Sequence, residues 1–255
     1  MAGHNKWSKI KFKKAAADSK RSKVWTKVIR EITVAARMGG ADVSGNPRLR
    51  KALDDARAAN MPKDTMERAV KRGEGGDGDA NYEELVYEGY GPGGVALYIE
   101  CTTDNRNRTS TDVQFGLRKH QGSLGKSGSV GYLFDKRGQF LFEKAPEGST
   151  APTEDMLLEI GMDHGADDVT DDGDGFTVVC EPADFQDLRE AYAKADLLPV
   201  SAAVAMIPQN TVRVSGDDAK MLLKLVDVLE DLDDVQHVWS NFEIDPNELE
   251  TLMAS

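Results

Sequence analysis

The stretch GFTVVCEPADFQDLREAYAKADLLPVSAAVAMIPQ (175–209) predicts a strand, a helix and a second strand, in that order. Ahead of it, GQFLFEK (138–144) predicts a strand and TEDMLLEIGMDHG (153–165) predicts a helix. ADDVT (166–170) then predicts a strand that forms a hairpin with GFTVVCE around DDGDG. The resulting order, β-α-β-β-α-β, is the ferredoxin-like arrangement. We therefore predict an acidic ferredoxin-like domain over residues 136–208.

The flanking segments predict a second sheet that this domain interrupts. YEELVYEG and GGVALYIECTT predict strands joined by the turn GYGPGG, and a helix from Thr109 to His120 and a strand at SVGYLF (129–134) follow. Residues 82–134 have too few elements to close a two-layer core alone. The strand, helix and strand predicted at NTVRVS, DDAKMLLKLVDVLEDL and DVQHVWSNFEID complete it. We predict a discontinuous α+β domain formed by 79–135 with 209–245.

The N-terminal third predicts helices only. From Ala15 to Arg37 the apolar residues cover one side of a helix and the basic residues, except Arg21, the other. Met38-Gly39-Gly40 ends this helix. Asn46-Pro47 begins a helix that should bury Leu49, Ala52, Leu53 and Ala56. Met61-Pro62 interrupts the pattern, and Gly73 ends the next helix. Residues 1–78 are therefore predicted to be a basic, all-helical domain. The fold class is α+β, with a helical bundle and two α+β domains, one inserted in the other.

The net charge of −12 conceals a strong asymmetry. Residues 1–72 contain 19 Lys and Arg against 7 acids, whereas residues 73–255 contain 13 basic and 37 acidic residues. A cationic module joined to an acidic body indicates a polyanionic partner for the module. A solvated charged face is the alternative interpretation of helical lysines.

We predict a nucleic-acid site on three segments. The first helix directs its cations to one side, and the lysines before it surround Trp7 and Phe12, which suit stacking on a base. The loop 104–109 lies at a helix N-terminus, where anions bind, although capping by Asp104, Asn107 or Thr109 also explains it. The third segment is the glycine-rich loop HQGSLGKSGS. The predicted side chains are Lys6, Trp7, Lys9, Lys11, Lys13, Lys14, Lys20, Arg21, Lys23, Lys27, Arg30, Asn105, Arg106, Arg108 and Lys126.

Other kinds of site find little support. Gly125-Lys126-Ser127 lacks the glycine five positions earlier that a phosphate loop needs, because His120 is there. The four histidines are scattered and the acidic hairpin 163–174 has no calcium-loop register, so we predict no metal, no cofactor and no catalytic residue. No apolar run is long enough for a membrane span. Cys101 and Cys180 are predicted to be buried, reduced thiols of a cytoplasmic protein, with a disulfide between them as the alternative.

Several blocks together resemble the YebC/PmpR family of bacterial proteins and their mitochondrial relatives, the translational activators of cytochrome oxidase. They are MAGHNKWSKIKFKK, REITVAARMGG, NPRLRKAL, ANMPKDTMERAVKRG, YEGYGPGGVALYIECTTDNRNRT and SLGKSGSVGYLF. The resemblance implies three domains and a cytoplasmic, non-enzymatic role in gene expression. It implies either a DNA-binding transcriptional regulator or a translation factor that relieves ribosome stalling at proline runs. Phe12 and His120-Gln121 depart from the residues expected there.

Three hypotheses follow. The first is a regulator that binds nucleic acid. Ribosomal RNA or tRNA, together with ribosomal proteins, is favoured over DNA as the partner. The reason is that the chain has no clear dimerisation element and suits a monomer. The second is a protein–protein adaptor that uses the acidic domains. The third is a nucleotide-using enzyme built on the glycine-rich loops. No membrane partner is predicted.

Overall fold

The computed structural model describes residues 21–75, 82–144 and 152–254, without the side chains at 21, 22, 253 and 254. Its elements form an α+β fold of three parts, as the sequence predicts. We call them the helical domain (21–75), the middle domain (82–133 with 209–254) and the ferredoxin-like domain (134–208). The residue boundaries predicted from the sequence stay a prediction.

The helical domain consists of α1 (Arg21–Gly39), α2 (Pro47–Ala58) and α3 (Lys63–Gly73). The four apolar residues predicted on α2 are all buried, and they pack against Ile32, Ala35 and Ala36 of α1. Val24 departs from the predicted apolar side, since it is 42% exposed. This core therefore has the one-sided form that the helical periodicity predicts.

Asn46 joins the end of α1 to the start of α2. Its side-chain oxygen accepts the Leu49 N–H at 3.0 Å, which caps α2, and Pro47 occupies the first helical position. Its amide nitrogen donates to the carbonyls of Ala35 and Gly40, each at 2.8 Å. Gly40 takes the left-handed φ of +81° that ends α1. The connection between α1 and α2 is therefore determined by residues within it, namely Gly40, Asn46 and Pro47.

The middle domain contains β1 (Glu83–Tyr90), β2 (Ala96–Thr103), α4 (Arg106–Lys119) and β3 (Ser123–Leu124). The part that follows the insertion adds α7 (Gly216–Glu230) and β9 (Val235–Ser240). The sheet order is β3-β1-β2-β9, so a strand after the ferredoxin-like domain pairs with one before it. Its remaining elements are the parallel pair β8 (Val212–Arg213) and β10 (Phe242–Glu243), and the last helix α8 (Pro246–Ala254).

The prediction of a strand at SVGYLF (129–134) is wrong. Residues 131–133 form a short 3₁₀ helix, and only Phe134 belongs to a strand. The reason is that the amides of Gly128, Val130 and Gly131 donate to the carboxylate of Glu88. A carboxylate that accepts these three N–H groups removes the donors that a sheet partner would need.

The ferredoxin-like domain has the predicted order of elements. They are β4 (Phe134–Glu143), α5 (Glu154–Asp163), β5 (Ala166–Asp171), β6 (Gly175–Cys180), α6 (Phe185–Lys194) and β7 (Ser201–Pro208). The antiparallel sheet has the order β5-β6-β4-β7. Phe140 and Phe142 pack with Tyr192 in its core. Cys180 of β6 and Cys101 of β2 are buried free thiols, as predicted.

Candidate nucleic-acid interface

Many of the predicted cations precede the described part of the chain. Arg21 is the first residue of α1, but the structure does not describe its side chain. Nucleic-acid binding therefore stays a prediction for Arg21 and for the residues before it, namely Lys6, Trp7, Lys9, Lys11, Lys13, Lys14 and Lys20.

The basic side of α1 faces the middle domain. Lys23 Nζ donates to the Asp231 carbonyl at 3.3 Å and lies 3.3 Å from the Asp231 carboxylate. Lys27 Nζ donates to the Glu230 carbonyl at 2.6 Å. Arg30 donates to the Asp233 carbonyl and is 2.8 Å from Asp234 Oδ1. The basic side of α1 predicted from the sequence is therefore packed against the middle domain, and nucleic-acid binding by these three cations stays a prediction.

The cause is the acidic turn (residues 230–234) that follows α7. The last carbonyls of a helix have no partner within it and carry partial negative charge. Glu230 ends α7, and its carbonyl and that of Asp231 accept from the lysines of α1. The α1 cations therefore neutralise a helix C-terminus and the carboxylates beside it.

Asp234 is the centre of this contact and is only 5% exposed. Arg108 of α4 binds its carboxylate through Nε at 3.1 Å and through Nη2 at 2.9 Å. Thr109 Oγ1 donates to the same carboxylate at 2.8 Å, and Arg30 approaches from the other domain. Arg30 and Arg108, two predicted site residues that are distant in sequence, thus bind the same buried carboxylate of Asp234.

The loop 104–109 is largely committed to internal contacts. Asn105 caps α4 by accepting the Arg108 N–H at 3.1 Å, so its side chain has the capping role of the alternative interpretation. Arg108 also pairs with Asp104 at 2.8 Å. Hydrogen bonds to Asp104 and Asp234 raise the pKa of Arg108, and the Arg108 hydrogen bond lowers the pKa of Asp104. Arg106 is exposed and forms no side-chain hydrogen bond or ion pair within the described ranges.

Glu88 fixes the glycine-rich loop. Its carboxylate, on a residue 8% exposed, accepts the N–H groups of Gly128, Val130 and Gly131 at 2.7, 2.6 and 2.8 Å. Burial alone would raise the pKa of Glu88, but these donors hold it below its ordinary value. Lys126 is exposed on this loop and forms no ion pair with any residue that the structure describes.

The two predicted loops lie at opposite ends of α4. This helix has 14 residues, which makes it roughly 21 Å long. Arg106 and Arg108 are in its first turn, and the loop that carries Lys126 follows its C-terminus. The structure brings Arg108 beside Arg30 and leaves Lys126 apart from both.

Sequence reasoning missed the two carboxylates that organise these segments. Glu88 was one of several acids in a strand, and Asp234 one of many in an acidic stretch. Their roles depend on partners about 40 and more than 120 positions away. Nothing in the neighbouring sequence distinguishes Glu88 and Asp234 from the other acidic residues.

Two negative findings apply to the part of the chain that the structure describes. No group of three His, Cys, Asp or Glu side chains there has an arrangement that would hold a metal ion. No helix there is long and apolar enough to cross a membrane.

Family models match almost the whole chain. The model of the TACO1/YebC N-terminal domain matches residues 5–76, and that of the TACO1/YebC second and third domain matches residues 82–242. The chain belongs to the TACO1/YebC family. This confirms the resemblance drawn from the sequence blocks.

Relatives within the TACO1/YebC family match over nearly their full length. A probable transcriptional regulatory protein of Geobacter sulfurreducens is 51% identical over 99% of this chain and 100% of its own. One of Citrifermentans bemidjiense has the same identity and coverage. The crystal structure of a conserved hypothetical protein from Aquifex aeolicus is 40% identical, with a TM-score of 0.78 over 89% of this chain and 92% of that one. The names of the Geobacter sulfurreducens and Citrifermentans bemidjiense proteins describe regulators of transcription.

Proposed function

We propose that the protein is a non-enzymatic, cytoplasmic regulator of gene expression that binds nucleic acid through the helical domain and the facing edge of the middle domain. The observation that carries this proposal is the meeting of cations from two separate segments. Lys23, Lys27 and Arg30 of α1 lie beside Arg108 of α4 around the acidic turn. The names of the relatives, probable transcriptional regulatory proteins, support the same role.

Part of this surface is held only weakly by its internal partners. The Lys23–Asp231 pair has side chains 45% and 41% exposed, and such pairs contribute about 0–1 kcal/mol. A polyanion that offers several phosphates can replace these contacts at little cost. The buried Asp234 cluster remains as the structural part of the contact, because its carboxylate is 6% exposed. Lys23 is therefore the described α1 residue that we assign first to a phosphate. Lys27, half-buried with its Nζ 2.6 Å from the Glu230 carbonyl, is assigned beside it as its neighbour on the same side of α1.

Within this function we favour RNA of the translating ribosome, with relief of stalling as the outcome. Residues 73–255 have 37 acids against 13 basic residues. A cationic domain on so acidic a body suits a place where RNA and basic proteins lie side by side, and the ribosome surface is one. The acidic body also limits indiscriminate binding to nucleic acid.

DNA is the second candidate, and one observation favours it. The short helix α3 follows α2 after four residues and exposes Arg68, Lys71 and Arg72, three cations at helical spacing. A helix pair of this kind can present its second helix to a DNA groove. The relatives' names also refer to transcription.

Sedimentation of the full-length protein from lysate tests the proposal. We expect comigration with ribosomes that ribonuclease abolishes and that K23Q/K27Q weakens. The control K220Q/K224Q changes the net charge equally at two exposed lysines of α7. Free migration with a discrete DNA footprint would select the DNA candidate. Absence of binding to both RNA and DNA would contradict the proposal.

A further inference from the structure

We infer that the outer face of α4, between the two predicted loops, binds single-stranded nucleic acid, with Phe115 stacking on a base and Arg118 and Lys119 contacting the backbone. The inference rests on the proposed function and extends it to residues outside the predicted site.

Phe115 is the first observation. Its side chain is 65% exposed, although the opposite face of α4 is buried through Thr109, Val113 and Leu117. A single exposed apolar residue is ordinary on a protein surface. Phe115 differs from such a residue in having a cation beside its ring, since Lys119 Nζ lies 6.0 Å from the ring centroid. An exposed ring beside a cation is the combination that single-strand sites use.

Charge is the second observation. Residues 104–126 contain five Lys and Arg against two Asp, whereas the rest of 73–255 contains 8 basic and 35 acidic residues. The α4 segment is therefore a positive island on a negative body. Arg118 is exposed and forms no ion pair with the described residues, and Lys126 in the loop beyond the C-terminus of α4 is equally available. Such an island attracts phosphates while its surroundings repel them.

The geometry of the helix aligns these groups. At 100° per residue, Arg118 and Lys119 lie within about 60° of Phe115 on the helix surface. Arg108 lies about 20° away two turns earlier, but Asp104 and Asp234 hold its guanidinium. Asp112 is an exposed carboxylate of this face, about 60° from Phe115. The outer face is a strip roughly 21 Å long, given the 14 residues of α4, and its available cations lie at the C-terminal end with Phe115. It connects the loop 104–109 to the loop that carries Lys126.

A single strand fits this strip better than other polyanions. The bases of a duplex are stacked on one another, and the face of Phe115 stays unused unless a base is unpaired. An acidic peptide would engage the cations, but the Asp and Glu side chains that give it its charge are not aromatic and do not stack on the ring. The strip is therefore assigned to unpaired RNA or DNA.

Anisotropy of a labelled oligouridine of roughly 12 nucleotides with the full-length protein tests the assignment. We expect F115A to weaken binding by at least about fivefold, and F115W to retain it, because stacking is lost only in the first. R118Q/K119Q should reduce the magnitude of the log–log salt slope by about 1.4, or about 0.7 for each cation. K220Q/K224Q on α7 is the control of equal charge and should change neither quantity.

A crosslink gives an independent readout. With 4-thiouridine in the oligonucleotide, we expect the tryptic peptide TSTDVQFGLR (109–118) to carry the crosslink. Unchanged affinity in F115A and R118Q/K119Q, with weaker binding in K23Q/K27Q, would overturn this inference and leave the proposed function intact. Absence of binding to any nucleic acid by the wild-type protein would overturn both.

Discussion

Arg30 of the helical domain lies 2.8 Å from the carboxylate of Asp234 in the middle domain, and both side chains are nearly buried, at 12% and 6% exposed. Arg108 binds the same carboxylate from its own domain. One acidic side chain therefore holds two arginines from two domains. This contact fixes the relative positions of Arg30 and Arg108, which are both predicted nucleic-acid residues.

Removing the charge of Asp234 should destabilise the protein. In D234N the guanidinium of Arg30 loses its charged partner at a largely buried position and keeps only the Asp233 carbonyl. Loss of one member of a buried pair costs about 3–5 kcal/mol. The effect here should be about 2 kcal/mol because Arg108 is 43% exposed and water replaces part of its interaction. Urea denaturation measures the free energy of unfolding.

D231N is the matched control for that measurement. The Asp231 carboxylate is 41% exposed and pairs with an exposed lysine, so we expect a change below about 1 kcal/mol. Equal losses of stability in D234N and D231N would contradict the central role of Asp234.

Glu88 should control the order of the glycine-rich loop. In E88Q the neutral amide cannot accept the three N–H groups as a carboxylate does, so we expect faster hydrogen exchange at Gly128, Val130 and Gly131. E83Q, on the same strand but exposed, is the control. Unaltered protection of the three amides in E88Q would show that the loop needs no carboxylate.

The same carboxylate predicts a pH effect on stability. The pKa of Glu88 in the folded protein lies below its ordinary value of 4.5. The unfolded state therefore binds the proton more readily, and the stabilisation is complete above the ordinary value and lost as pH falls through the folded pKa. Denaturation across acidic pH should show a smaller acid-dependent loss in E88Q than in the wild-type protein. If the free energy of unfolding depended on pH identically in E88Q and in the wild-type protein, Glu88 would make no contribution to the acid-dependent loss of stability.

The two cysteines should be unreactive in the folded protein. Burial raises the pKa of Cys101 to about 12 and that of Cys180 to about 11, so neither forms the reactive thiolate near neutral pH. We expect iodoacetamide to label neither thiol in the native state and both after denaturation, as counted by mass spectrometry. Rapid labelling of either in native buffer would contradict the burial described for β2 and β6.

Gly73 should be sensitive to a single added methyl group. A Cβ at this position would lie 2.5 Å from the Thr33 carbonyl oxygen and 2.6 Å from Ala36 Cβ, which are both on α1. G73A should therefore lower the free energy of unfolding by about 1–3 kcal/mol through forced separation of α1 and α3. G45A is the control, since its added Cβ meets Asp42 at 3.4 Å, an ordinary contact distance. A G73A protein as stable as G45A would argue against this close packing.

The sequence predicted those features that depend on neighbouring residues. Asn46-Pro47 begins α2, Gly40 ends α1, and the βαββαβ order of the ferredoxin-like domain is present. These follow from capping, from φ preferences and from periodicity, all of which act over a few residues. The division of α1 into an apolar and a basic side is of the same kind.

The sequence did not predict what faces the basic side of α1. Periodicity gives the direction of Lys23, Lys27 and Arg30 but no information on the segment packed against them. That segment, the acidic turn, is about two hundred positions away. The wrong strand at SVGYLF has the same origin, because the distant carboxylate of Glu88 takes its amide donors.

The salt dependence of RNA binding by the full-length protein tests the central claim most directly. Between about 50 and about 200 mM salt, we expect the affinity for single-stranded RNA to fall linearly on a log–log plot. The slope should be about −0.7 for each phosphate neutralised, and it should become shallower in K23Q/K27Q but not in K220Q/K224Q. Undetectable binding at low salt, or an affinity that does not vary with salt, would contradict the account.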